Sequence, residues 1–121
     1  MISGKGESMG KINVLVVRPM EGPVMEEVEN TLEGYYAVMG CDRIQCVYPF
    51  GDEAVLVCDD LGKFRGEPNR ILRSWDGRVA DILHGTFFIC GIDGEEFASL
   101  PEKLADKYTG MFRAPESIVW S

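Results

Sequence analysis

The sequence predicts an α+β fold: a single domain with a largely antiparallel sheet and two main helices packed on it. Three observations carry this expectation. "INVLVV" at 12–17 is an unbroken, mostly β-branched apolar run, the pattern of a central strand covered on both faces. Between residues 43 and 93 come short apolar runs separated by turn signals, so the sheet is expected to grow by hairpins. Stretches of helical spacing flank that block. Alternating βαβ units and a Gly-x-Gly-x-x-Gly loop are both missing, which argues against a dinucleotide-binding sheet.

Residues 1–10, rich in Gly, Ser and charge, are expected to be disordered, with the domain occupying 11–121. "GKGESMGK" within the start is not a phosphate loop. The first glycine of that pattern would fall on Lys5, and the stretch precedes the first strand instead of following one. After Pro19 ends strand 12–17, Pro23 suits the first turn of a helix reaching Met39, with Glu26 and Glu27 at its positive end. Val24, Val28, Leu32, Tyr35 and Met39 recur at helical spacing, Gly40 supplies the stop, and Glu26, Glu29 and Glu33 face water.

"RIQCVYPFGDEAVLVCDD" predicts two strands around "PFGD", and Gly62 and Asp76-Gly77 predict tight turns. The stretch "DILHGTFFICGID" at 81–93 carries the most apolar strand, up to Ile92, bounded by Asp93-Gly94. Ser99 and Glu102 have the spacing of a capping box, ahead of a helix whose apolar face is Leu100, Leu104, Tyr108 and Met111. "SIVW" at 117–120 predicts a last strand.

Composition narrows the function classes. With 45% hydrophobic and 26% charged residues, the 121-residue chain is globular in type. No apolar run approaches the roughly 20 residues that span a bilayer, and the start lacks an apolar secretion core, so a cytoplasmic site is expected. A net charge of −8 opposes general binding to nucleic acid or anionic membrane. Cys41, Cys46, Cys58 and Cys90 form no Cys-x-x-Cys pair and have one histidine between them, so free thiols are expected and no metal site or cofactor is called for.

Two constellations could carry chemistry. His84 is the chain's one histidine, and Asp81 lies three residues before it. In an extended strand these positions point to opposite faces, and no Gly-x-Ser-x-Gly elbow accompanies them, so a hydrolase is only a residual reading. More informative is "KFRGEPNRILRSWDGR" at 63–78. Five of the twelve bases fall there against two of the twenty acids, leaving the segment at +3 and the remainder of the chain at −11. Arginine forks grip phosphate or carboxylate by paired hydrogen bonds, and Phe64 and Trp75 could stack on a base. The plain alternative is exposed ion pairing with nearby carboxylates, which contributes about 0 to 1 kcal/mol per pair.

"INVLVVRP", "VYPFGDEAVLVCDDLGK", "NRIL" with "GRVADILHGTFFICG", and "KYTGMF" together resemble the family known as domain of unknown function 3846, over roughly residues 12–113. The resemblance implies an origin in phages, prophages or plasmids and an intracellular site of action. It brings no catalytic residues. His84 stands where an apolar or small residue is usual in that family, which favours a buried strand over a catalytic one.

The functional expectation is a small non-enzymatic binding protein of a mobile element, with counter-defence as a fitting use. It would capture a small anionic ligand, such as a nucleotide, through Arg65, Asn69, Arg70, Arg73, Asp81 and Thr86. The alternative is an acidic inhibitor or adaptor that engages a host protein through Glu26, Glu29 and Glu33.

Overall fold

The structure, a computed structural model, describes residues 10–48, 52–61, 66–73, 76 and 78–113. In chain order the elements are β1 (Lys11–Val17), β2 (Val24–Glu29), α1 (Leu32–Met39), β3 (Ile44–Val47), β4 (Ala54–Asp59), β5 (Pro68–Arg73), β6 (Val79–His84), β7 (Phe87–Asp93), β8 (Glu96–Ala98) and α2 (Glu102–Met111). Six strands form one sheet in the order β2-β1-β7-β4-β3, with β8 also paired to β7, and β5 and β6 form a separate two-stranded ribbon. Every pairing is antiparallel, so the α+β class read from the sequence is the one observed.

β7 sits at the centre because Phe87, Phe88, Ile89 and Cys90 are all fully buried, which only a strand flanked and covered on both faces permits. Successive side chains alternate between two cores. Leu15, Val17, Leu56, Phe87 and Ile89 face α2 and the ribbon, meeting Leu72, Leu83, Ala105, Tyr108 and Phe112. Val14, Val16, Val55, Val57 and Phe88 face α1, meeting Tyr35 and Met39. Each large apolar side chain so buried contributes about 1.5–3 kcal/mol. Aromatic contacts lock both layers: Phe87 meets Phe112 edge-on at 5.4 Å, and Tyr35 lies 5.7 Å from Phe88 and 5.1 Å from Phe97.

Three local expectations are corrected. Residues 23–39 are not one helix. Val24–Glu29 pairs with β1 from Lys11↔Glu29 to Val16↔Val24, and the helix begins only at Leu32. Val24 and Val28 are four apart, a spacing that satisfies one helix face and one strand face alike, and the open edge of β1 decides between them. Thr31 marks the break, its Oγ1 accepting from the Gly34 N–H at 3.0 Å as the helix N-cap. The Ser99 and Glu102 capping box does not form. The cap residue is Pro101, while the Ser99 hydroxyl accepts from the Asn13 N–H at 2.9 Å and ties β1 to the chain after β8. The apolar face expected at Leu100, Leu104, Tyr108 and Met111 holds for the first three, with Leu104 packed at the margin; Ala105 and, just past the helix end, Phe112 join them, whereas Met111 is exposed.

Gly40 does end α1, in the left-handed region at φ 67°. Residues 1–9, the Gly62 turn and the strand expected at 117–120 lie outside the described residues. Among the described residues, no helix is long and apolar enough to cross a membrane.

Candidate functional site

The tetrapeptide "EPNR" forms the junction between ribbon and sheet. Register in the β5–β6 pair shifts between Pro68 and Arg70, and this irregularity lets consecutive side chains, Asn69 and Arg70, both turn inward. They are 2% and 1% exposed. The Asn69 side-chain amide donates to the carbonyl oxygens of Val17 at 3.0 Å and Gly85 at 2.8 Å. Its Oδ1 accepts from Arg70 Nη1 at 2.7 Å, which fixes the orientation of the amide. Arg70 donates further from Nε to the Phe112 carbonyl at 3.2 Å, from Nη1 to the Asn69 carbonyl at 3.2 Å and from Nη2 to the Glu21 carbonyl at 2.5 Å. Two neighbouring side chains thereby tie the end of β1, the β1–β2 loop, the β6–β7 turn and the end of α2 to the ribbon.

The glycines beside this clamp have steric reasons. Gly85 adopts φ +74° and donates its N–H to the Glu67 carbonyl at 2.8 Å. A Cβ on Gly66 would stand 2.8 Å from the Gly85 nitrogen, so backbone meets backbone here. His84 closes the same corner, its Nδ1 lying 3.2 Å from the Gly66 carbonyl.

On the opposite face of the sheet lies a groove of about 450 Å³ between β2 and α1, lined by Arg18, Glu26–Glu29, Glu33, Gly34, Ala37 and Val38. At Gly34 the helix closes directly on the end of β2, since a Cβ there would come within 2.2 Å of the Glu29 carbonyl oxygen. Arg18 grips Glu26 on its floor with a two-pronged fork, at 2.5 and 3.0 Å. The hydrogen bond from Arg18 holds the Glu26 carboxyl below its ordinary range, and the same contact raises Arg18. Glu27, Glu29 and Glu33 remain exposed. Glu27 reaches Lys11 only at 3.9 Å across open surface, and no ion pair among the described residues engages Glu29 or Glu33.

Residues 12–113 match the family described as a domain of unknown function, DUF3846. The chain belongs to the DUF3846 family. No curated protein and no solved structure matches it.

In this DUF3846 chain five of the six residues expected to hold a ligand are described, and they are spread along the ribbon and the β6–β7 turn. Asn69 and Arg70 are buried, and Arg73 is exposed at the other end of β5, about 10 Å along the strand at three residues' remove. Asp81 is half-buried in mid-β6, its Oδ1 accepting from the Ile82 N–H at 2.8 Å, and Thr86 is half-buried between β6 and β7. Arg65, with Phe64 and Trp75, lies outside the described residues.

All four cysteines are free thiols. Burial raises Cys46, pushes Cys58 up to about 11 and raises Cys90 further. No group of three or more His, Cys, Asp or Glu among the described residues comes together as a metal site.

The DUF3846 features missed by sequence reasoning are the Arg18–Glu26 fork and the role of Gly34. A glycine two residues inside a helix costs about 1 kcal/mol relative to alanine, and that penalty was the available signal of a close approach.

Proposed function

We propose that this protein is a non-enzymatic binding protein, an adaptor or inhibitor that engages a positively charged protein through Glu27, Glu29 and Glu33. Its setting is the cytoplasm of a host cell, on behalf of a phage or related mobile element, where counter-defence is a fitting use. What supports the reading is where the charges are spent. The Arg70 guanidinium is buried on carbonyl oxygens of its own chain, whereas Glu27, Glu29 and Glu33 stay exposed around an open groove. Capture of a small anion would instead have to rest on Arg73 and Arg65.

Fluorescence anisotropy with a labelled oligolysine separates these readings. Binding should weaken as salt rises and disappear in the double reversal Glu29→Lys with Glu33→Lys. Salt-insensitive binding, or binding unchanged by the reversal, would refute the acidic-face reading. Thermal melts against a nucleotide panel form the second arm. A ligand at 100 times its Kd stabilises by about 2.7 kcal/mol, and such a shift would favour the small-anion reading instead.

A further inference from the structure

We propose that β2 takes an added β-strand: an extended segment of the partner protein carrying Lys or Arg at alternate positions. The proposal rests on the acidic-face reading above and adds the mode of recognition. β2 is an end strand of the six-stranded sheet, with no strand among the described residues beyond it. Its pairing with β1 runs without a register shift, and the Asn30 N–H donates to the Gly10 carbonyl at 2.9 Å, toward β1. In an antiparallel ladder both polar groups of one residue face the same neighbour, and successive residues alternate. Val24, Glu26 and Val28 therefore share the inward set with Asn30, while Met25 and Glu27 direct both backbone N–H and C=O outward. Glu29 confirms the alternation, its carbonyl turning away from β1 to accept from the Thr31 N–H at 2.8 Å.

Side-chain pattern selects the guest. Met25, Glu27 and Glu29 project on one face of β2, so an added strand meets carboxylates at two of these three positions, Glu27 and Glu29. On the other face it meets Val24, Val28 and, from the groove wall, Ala37 and Val38, with Glu26 there already held by Arg18, which suits short apolar side chains. A second copy of β2 is a poor guest, because it would set glutamate against glutamate, and like charges opposite each other destabilise a pair. A basic-apolar alternating segment answers both faces, and the main-chain bonds supply affinity independent of its side chains.

The test uses the full-length chain and a labelled peptide of alternating Lys and Val, six residues long. Two further versions carry N-methyl groups, one on the Lys nitrogens only, the other on the Val nitrogens only. An added strand turns one set toward β2 and the other to solvent. One methylated peptide should therefore bind about tenfold more weakly than the parent, since two lost hydrogen bonds near 1 kcal/mol each are worth at least that, and the other should bind like the parent. Equal binding by both methylated peptides, with the parent's binding still lost on Glu27→Lys with Glu29→Lys, overturns strand addition while leaving the acidic-face reading standing. Failure of the parent peptide to bind, or indifference to that reversal, overturns both. Hydrogen exchange on the free protein adds an independent check: protection of the Met25 and Glu27 amides equal to that of Val28 would show the edge already occupied and overturn the proposal.

Discussion

Replacing Arg70 by methionine keeps the apolar stem of the side chain and removes the guanidinium from the clamp. The carbonyls of Glu21 and Phe112 then lose a charged donor, and Asn69 Oδ1 loses the bond that orients its amide. An acceptor stranded in a buried site costs about 1–3 kcal/mol, and two or three are affected, which brackets the gross loss at about 2–9 kcal/mol. Relief from holding a buried charge offsets part of this. We expect Arg70→Met to lose about 3 kcal/mol of unfolding free energy, or a fall in Tm of about 12 °C at roughly 4 °C per kcal/mol for a chain of this length. Arg70→Lys should fall nearly as far, because a single ammonium cannot span the Phe112 and Glu21 carbonyls as the planar fork does. Urea unfolding followed by tryptophan fluorescence measures the loss, with an unchanged m-value showing that the same surface unfolds. A loss below about 1 kcal/mol would refute the clamp as an anchor of the ribbon.

Three further predictions follow from local geometry. Gly34→Ala must push α1 off the Glu29 carbonyl and should destabilise by more than 2 kcal/mol, whereas Gly40→Ala, at positive φ but with open space around it, should cost about 1–2 kcal/mol; thermal melts compare the two. Burial pushes the Asp52 carboxyl up, but bonds from the Tyr108 hydroxyl, Lys107 and the Ala54 N–H outweigh it and leave the group below its ordinary value. Its contribution is thus present above the ordinary carboxylate range and lost as pH falls through the depressed folded value, so Asp52→Asn should flatten the acid limb of a stability-versus-pH curve. The Cys58 and Cys90 thiols, pushed up by burial, should stay protonated at pH 8 and react with iodoacetamide far more slowly in the native protein than in urea, as intact-mass time courses would show; equal rates would contradict their burial.

Much of the sheet was legible because its central strands announce themselves. β1 and β7 are continuous apolar runs, and the stop at Gly40 has the one residue type that tolerates its dihedral. β2 was not legible. "VMEEVE" is rich in helix-favouring glutamate, and its valine spacing fits both periods, so only the unpaired edge of β1 determines its form. The site was half legible. Asn69 and Arg70 were singled out by type and neighbourhood, yet their burial depends on a register irregularity in β5 that no spacing reveals. Ser99 offers the same lesson, since a hydroxyl that suits a helix cap also suits the backbone of a distant strand.

The strand order has a consequence for how the protein is made. β1 with β2, and β3 with β4, are hairpin pairs that emerge early from the ribosome, but the strand that joins them is β7. A nascent chain that stops short of Phe87 holds two hairpins with no seam between them, each with an apolar face unclosed. Assembly therefore waits on about three-quarters of the polypeptide, up to Asp93 of 121 residues, and contacts so distant along the chain form slowly. In that interval the carboxylates on β2 shield its edge from neighbouring chains on the same message.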